Sequence, residues 1–244
     1  MLLFYIFIIS FVATLMRSTF GFGESLVAVP LLSLFLPIAI AVPLSVLISI
    51  LIASVVVIQD HHKIHFNSAK WLIIYAVLGI PIGLLILIYG NEQWVKIGLG
   101  TIIILYALYA LIGKNSIVLD TDSKFWLFSC GFLSGILGGA YGINGPPLVV
   151  YGNMRKWSAQ HFRATLQAYF LPVSLIGTIG YAVKGLVTIT VFEYFLIALP
   201  AAIPAIYLGR HLNLKLGDGT FFKYVYLLLM FIGAFLVVAS IYHF

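Results

Sequence analysis

The sequence has very little charge. Asp, Glu, Lys and Arg make up 8% of its 244 residues, whereas soluble domains carry about 25%. Hydrophobic residues make up 63%, so a soluble core is excluded, and the composition predicts an all-α polytopic membrane protein within a lipid bilayer. No basic run accompanies the formal net charge of +6, so these cations are expected in loops and no nucleic-acid partner is expected.

Cysteine is almost absent as well. The single Cys130 excludes an internal disulfide, and no spaced Cys/His set predicts a metal site, so neither a metal nor another cofactor is expected. His61 and His65 have helical i, i+4 spacing, but they lie in a segment expected to be a solvated loop. All six histidines fall near loops or a chain end, so an intramembrane enzyme is disfavoured and we predict none.

Two glycine-containing breaks interrupt the apolar runs. Residues 20–30 read FGFGESLVAVP, and residues 141–151 read YGINGPPLVVY. Glycine and proline weaken a helix interior, although proline suits the first turn of a new helix. The second segment therefore predicts a helix that ends near Gly139 and a short helix that starts near Pro146. The first segment predicts the same layout, with a short helix that starts near Glu24.

The order of apolar runs occurs twice along the chain, as a broken pair followed by three full-length runs. The runs at 24–36 and 145–153 are too short to span a bilayer, which is typical of discontinuous helices in transporters. A shift of 121 residues superimposes the two breaks. We therefore predict one integral membrane domain built from two homologous repeats, residues 1–115 and 122–244.

The distribution of cations favours one topology over another. If each broken pair is one crossing, the cations divide almost evenly between the two sides. If each is a re-entrant hairpin, only Lys96 and Lys184 lie on one side, which the positive-inside rule favours. Three full spans then remain in each repeat, and this odd number makes the repeats inverted. The cations on the other side are Lys63, Lys70, Lys114, Lys124, Arg155, Lys156, Arg163, Arg210, Lys215 and Lys223.

The short helices supply a physical basis for anion binding. The start of a helix exposes unpaired N–H groups and about half a positive charge, so it can bind an anion without a basic side chain. If both breaks meet at mid-membrane, the sequence predicts a small anionic substrate between the repeats. The candidate binding residues at the breaks are Gly21, Phe22, Gly23, Glu24, Ser25, Tyr141, Gly142, Ile143, Asn144 and Gly145.

Five ionisable or polar residues flank these breaks. Arg17, one turn before the first break, either ligates the anion or forms a structural pair with Glu24 or with a freed carbonyl. Glu24 is either a proton-coupling group or a helix acid stabilised by the dipole. Arg163 is either an interfacial anchor or a cation in a vestibule, from which anions pass to the site. In the second interpretation Thr165 and Gln167 lie deeper in the membrane along the same path.

Several motifs resemble those of the TauE/SafE-like sulfite exporter family. Residues 17–23 (RSTFGFG) and 26–32 (LVAVPLL) resemble its amino-terminal glycine-rich signature. Residues 141–151 resemble the carboxy-terminal copy, and residues 162–167 (FRATLQ) also resemble that family. The length, the hydrophobicity and the doubled layout agree over essentially the whole chain. The motifs are moderately specific, because glycine-rich breaks occur in other transporters too.

This resemblance implies export or exchange of small anions, notably sulfite and organosulfonates, across a plasma membrane, in a bacterium. Glu24 and Ser25 stand where relatives often have glycine or another small residue, and Asn144 replaces a common glycine. The sequence therefore predicts a secondary transporter that works by alternating access, with an anion channel built on the same helix ends as the alternative. It leaves open the anion, the coupling ion, the direction of flux and the oligomeric state.

Overall fold

The computed structural model describes residues 1–112, 118–215 and 219–242, and these form α-helices, one 3-10 turn and no β-strand. In chain order the first five helices are α1 (Leu2–Phe20), α2 (Glu24–Leu32), α3 (Ile38–Asp60), α4 (Phe66–Tyr89) and α5 (Glu92–Ile112), with the 3-10 turn His61–Lys63 after α3. The next five are α6 (Lys124–Tyr141), α7 (Gly145–Met154), α8 (Ala159–Val183), α9 (Ile189–Lys215) and α10 (Gly219–Tyr242).

Both predicted breaks are present, and each follows a glycine in the left-handed region. Gly21 ends α1 with a φ of 85°, and Gly142 ends α6 with a φ of 67°. Residues with a side chain rarely adopt this conformation, so glycine lets the helix stop there. The prediction for the second break was wrong by small margins. α6 continues to Tyr141, and α7 starts at Gly145, because Pro146 and Pro147 fit its first turn.

Each short helix turns back along the helix that precedes it. In the first pair, the ring of Tyr5 near the start of α1 stacks on Phe35 just beyond α2, with centroids 4.9 Å apart. In the second pair, the amide of Leu119 before α6 donates to the carbonyl of Met154 at the end of α7, at 2.8 Å. Both pairs are therefore helical hairpins whose tips are the glycine breaks.

A carboxylate fastens the open end of the second hairpin to the start of α4. Asp122 accepts hydrogen bonds from Tyr151 at 2.7 Å, from Arg155 at 3.1 Å and from Ser68 at 2.9 Å. Partial burial alone would raise the pKa of Asp122, but the hydrogen bonds from Tyr151, Ser68 and Asn67 and the charge of Arg155 together outweigh it and lower the pKa.

The two hairpins open at opposite ends of the protein. The first opens beside the start of α3 at Ile38, whereas the second opens beside the start of α4, after α3 has ended at Asp60. α3 has 23 residues, and at 1.5 Å per residue it spans about 35 Å. The tips of the two hairpins therefore point toward each other from opposite ends.

The long helices pack in pairs through small residues. α4 packs on α6, α1 on α9, α5 on α10 and α3 on α8. At the α4–α6 contact, a Cβ added to Gly135 would lie 2.1 Å from the carbonyl oxygen of Ala76, and one added to Gly83 would lie 2.1 Å from that of Ile136. Glycine thus allows two backbones to touch, as is common between helices in membranes.

Within the described residues, five helical segments are long and apolar enough to cross a membrane. Together with the composition, they make this a multi-pass membrane protein. The segments are Leu2–Phe20, Ile38–Lys63, Phe66–Tyr89, Gln160–Val183 and Ile189–Asn213, and a shorter apolar helix covers Leu229–Ile241.

The close contact between α4 and α6 predicts a position-dependent effect of alanine. Gly135→Ala places a methyl group against the Ala76 carbonyl, so it should lower stability by about 1–3 kcal/mol. We expect a fall of roughly 2–10 °C in the unfolding temperature of the purified protein in detergent. Gly177→Ala is the matched control, because its Cβ would meet only Tyr181 at 3.9 Å. An equal loss in both variants would contradict this account of the contact.

Candidate functional site

The tips of the two hairpins meet inside the protein. The backbone at Gly145 lies against Phe22, since a Cβ built on Gly145 would be 3.6 Å from the Phe22 Cβ. A cavity of about 10 Å³ lies between the tips, which is room for about one water molecule. Both breaks contribute to its lining, which consists of Arg17, Gly23, Glu24, Ser25, Leu26, Ser49, Gly142, Ile143, Asn144, Gly145 and Phe170.

The starts of α2 and α7 both line this cavity. Within the described residues, neither Gly23 nor Asn144, which precede these helices, supplies a side-chain cap. The first N–H groups of a helix have no partner within the helix. Two positively polarised helix ends therefore face one small buried space, which is an arrangement suited to an anion.

Arg17 joins four helices at the edge of this cavity. Its side chain is 3% exposed, and its guanidinium donates to Gln167 at 3.2 and 2.8 Å and to Ser49 at 2.5 Å. The guanidinium also lies 4.5 Å above the ring of Phe170 and 3.5 Å from the carboxylate of Glu24. Arg17 thus lies inside the helix bundle, as both interpretations of it required. It is paired with Glu24, as in one of the two.

Glu24 is as completely buried as Arg17. Ser45 donates to one of its carboxylate oxygens at 2.8 Å, and Ser25 donates to the other at 2.9 Å. These hydrogen bonds and the Arg17 ion pair together satisfy the carboxylate without water. Both interpretations of Glu24 fit this geometry, because it is the first residue of α2 and also lines the cavity.

Asn144 is the polar residue of the second break. It is 6% exposed, and its side-chain Oδ1 is buried without a hydrogen-bond partner among the described residues. Its backbone carbonyl accepts from Ser134 at 2.6 Å, and the hydroxyl of Tyr169 donates to Ser134 at 2.9 Å. The side chain lies against Gly138, where a Cβ would overlap it. The Oδ1 atom is an acceptor and faces Gly138, so only the amide nitrogen of Asn144, a lining residue, can donate to an anion.

The other predicted site residues lie outside the cavity lining. Gln167 is adjacent to it, since it accepts from Arg17 and donates to the carbonyl of Gly21 at 2.7 Å. Phe22 packs edge-on against Tyr106 and Phe162. The Tyr141 hydroxyl lies close to Gly98 on α5.

Arg163 and Thr165 lie farther along α8, toward its start. Arg163 forms an ion pair with Asp60 at 3.2 Å, and its backbone packs against Gly21. The hydroxyl of Thr165 accepts from the amide of His65 at 3.0 Å, so it fastens the loop before α4. Neither side chain reaches the cavity between the tips.

Three polar or aromatic residues at the site were not predicted from the sequence. Ser45 and Ser49 on α3 bind Glu24 and Arg17, and Phe170 on α8 lies under the guanidinium. The i, i+4 spacing of the two serines on one face of an apolar helix is a signal that could have identified them. No comparable signal marks Phe170 in a sequence that is 15% aromatic.

The fold and the site define a class: a multi-pass membrane protein with two discontinuous helical hairpins around a central buried cavity. The family model for the sulfite exporter TauE/SafE family matches residues 6–236, and the chain belongs to this family. The resemblance found in the glycine-rich motifs is thereby confirmed.

One curated relative comes from Cupriavidus necator and is described as "Probable sulfite/organosulfonate exporter TauE". It is 26% identical over 165 residues, which are 66% of this chain and 64% of the relative. The match therefore spans less than two thirds of that relative's length. No solved structure matches the chain.

The Arg17–Glu24 pair predicts non-additive effects on stability. Arg17→Met leaves a buried carboxylate without its cation, which should lower stability by about 3–5 kcal/mol. The double variant Arg17→Met/Glu24→Gln should lose less than the sum of the single variants, with a coupling of about 1–3 kcal/mol in thermal unfolding in detergent.

The pair Lys96–Glu92, at 3.1 Å, supplies the control, because its Lys96 is only half-buried and its Glu92 is exposed. Lys96→Met should lower stability by about 1 kcal/mol or less, because solvent screens this pair. Additive losses at Arg17 and Glu24 would show that their contact contributes nothing to folding.

Proposed function

We propose that this protein is a secondary transporter that exports small oxyanions, of the class of sulfite and organosulfonates, by alternating access of two halves around the central cavity. The observation that carries the proposal is the meeting of two uncapped helix starts, with Arg17 beside them, in one buried space. The description of the Cupriavidus necator relative as a sulfite/organosulfonate exporter supports this class of substrate.

The proposed halves are two homologous, inverted repeats, residues 1–115 and 122–244. Their element order supports this, because each has a long helix, a glycine break, a short helix and three more helices. Exchanging the halves also converts the α1–α9 contact into the α6–α4 contact, and it maps the α5–α10 and α3–α8 contacts onto themselves. Hairpins that open at opposite ends are what an inverted pair requires. Residue 115 lies outside the described residues.

The cations support an orientation in the plasma membrane. Lys96 and Lys184 lie at the end where the first hairpin opens. The opposite end, which the positive-inside rule makes cytoplasmic, carries the other cations. Those in the described part of the chain are Lys63, Lys70, Lys124, Arg155, Lys156, Arg163 and Arg210. Lys114, and the side chains of Lys215 and Lys223, lie outside the described part. The bacterial relative supports a bacterial inner membrane.

The size of the cavity favours a transporter over the alternative, an anion channel. Sulfite has four non-hydrogen atoms, whereas the space between the tips holds about one water molecule. Anion binding therefore requires the hairpins to move apart, and a conformational change in each cycle is the property of a transporter. Flux that saturates with substrate and stays well below diffusion-limited rates would separate the two mechanisms.

Glu24 provides a route to proton coupling. The substrate anion and the Glu24 carboxylate compete for the same guanidinium, because Arg17 faces both the carboxylate and the cavity. A proton on Glu24 removes its charge and leaves Arg17 to the substrate. Anion binding and proton uptake at Glu24 are therefore linked in the proposed mechanism.

Asn144 is the position at which the proposed function is most directly tested. Asn144→Ala should lower the rate of sulfite efflux from proteoliposomes at least tenfold, because it removes a side chain that lines the cavity and whose amide nitrogen can donate to an anion. Asn153→Ala is the matched control at the other, exposed end of α7, and it should transport like the wild type. Wild-type rates in Asn144→Ala, or no sulfite flux in the wild type, would contradict the proposal.

The proton link predicts a change in pH dependence. Wild-type protein should bind sulfate, a dianion over the range tested, more tightly as the pH falls from about 8 to 5, since protonation of Glu24 frees Arg17. Glu24→Gln should bind with the low-pH affinity throughout. Calorimetric titration in detergent measures this, and an equal pH dependence in both proteins would exclude Glu24 as the coupling group.

A further inference from the structure

At the end of the protein where the second hairpin opens, three cations surround one carboxylate. Asp60, the last residue of α3, lies 3.2 Å from Arg163, 3.9 Å from Arg210 and 4.0 Å from Lys63. We call these four residues the Asp60 cluster. With all four charged, the cluster carries an excess of positive charge that Asp60 alone does not neutralise.

Arg163 is the least satisfied member of this cluster. It is 4% exposed, and only its Nη1 donates to Asp60. Its Nε and Nη2 are buried and have no hydrogen-bond partner among the described residues. Leaving a buried donor unsatisfied costs about 1–3 kcal/mol, and more for a charged group. Two guanidinium nitrogens, with three N–H bonds between them, thus lack an acceptor among the described residues.

Arg163 also lines a cavity within the cluster. Its volume is about 50 Å³, and Gln160 and Asn213 line it together with the four residues of the Asp60 cluster. By the same measure one water molecule needs about 10–15 Å³, so the cavity has room for roughly four atoms of that size. A small oxyanion such as sulfite or sulfate matches this size, and its oxygens match the planar pair of donors on Arg163.

The Asp60 cluster is adjacent to the central site through α8. The backbone of Arg163 packs against Gly21, with 2.9 Å between the Arg163 Cα and a Cβ built on Gly21. One turn farther along α8, about 6 Å, Gln167 binds both the Gly21 carbonyl and Arg17. Asn213, which lines the cavity of the cluster, donates to the Thr19 carbonyl at 2.7 Å. The two cavities therefore lie on either side of the first break.

We propose that the Asp60 cluster is a second anion-binding site, for small oxyanions. In this site the Asp60 carboxylate competes with the anion for the guanidinium of Arg163. A bound oxyanion accepts hydrogen bonds from the unsatisfied Nε and Nη2 of Arg163, and Lys63 and Arg210 balance its charge. The Asp60 carboxylate weakens this binding by repulsion and by occupying Nη1. The site binds anions whether or not the protein transports them. Its role, loading anions from the cytoplasmic side toward the first break, rests on the proposed function.

The test uses the purified full-length protein in detergent, titrated with sodium sulfate at constant ionic strength set with sodium gluconate. All proteins carry Asn144→Ala, so the central cavity is the same in each of them and differences in affinity report on the Asp60 cluster. Asp60→Asn removes the competing charge, and we expect sulfate to bind about tenfold more tightly by calorimetry, since a unit charge about 4 Å away is lost. Adding Arg163→Gln should abolish this gain.

Lys70→Gln is the matched control, because it removes an exposed cation at the same end of the protein, and it should leave the affinity within twofold. The proposal is wrong if Asp60→Asn binds sulfate no more tightly than its parent, or if the gain survives Arg163→Gln. If Asp60→Asn does not fold, sulfate but not gluconate should restore folding, and failure of both would also overturn the proposal. Absence of sulfite flux in the wild type, with this gain in sulfate affinity intact, would instead count against the proposed function alone.

Discussion

The structure depends on one constraint: backbone that leaves a helix inside an apolar protein must find polar partners there. At the first break, Gln167 donates to the Gly21 carbonyl and Asn213 to the Thr19 carbonyl. At the second, Tyr181 donates to the carbonyls of Gly138 and Gly139. The carbonyl groups that end the helix before each break thus accept hydrogen bonds from side chains of α8 or α9. The amide groups that begin the short helix after each break face the central cavity instead. This asymmetry is what makes the two breaks suited to an anion.

α8 links the features on which the proposed mechanism depends. Along about two turns it contributes Arg163 to the Asp60 cluster, Gln167 to Arg17 and the Gly21 carbonyl, and Phe170 to the lining of the central cavity. A movement of α8 relative to the first hairpin would therefore alter both cavities together. Such a shared element is a physical basis for coupling the opening of one cavity to the closing of the other.

Much of the arrangement could be predicted because the two breaks have an unusual composition for a membrane segment. The hairpins and the burial of Arg17 follow from glycine, proline and charge in apolar surroundings, whereas its pair with Glu24 was one of the alternatives left open. The positions of Tyr141 and Thr165 could not be predicted in the same way. Tyr141 turns toward α5, and Thr165 binds the loop before α4, because each direction depends on helices that are distant in the sequence. The roles of Ser45 and Ser49 depend on the packing of α3 against both hairpins for the same reason.

The sequence by itself determined that this chain is a membrane protein with two glycine breaks. It also determined, to within about two residues, where the helices on either side of each break stop and start, because composition and local propensity act over short distances. Only the tertiary structure decided which partners satisfy those breaks and that their helix starts share one cavity. It also decided that Arg163 belongs to a separate basic cavity with Asp60. These outcomes depend on contacts between residues more than 100 positions apart, such as Arg17 with Gln167 and Asp60 with Arg163, which packing of whole helices brings together.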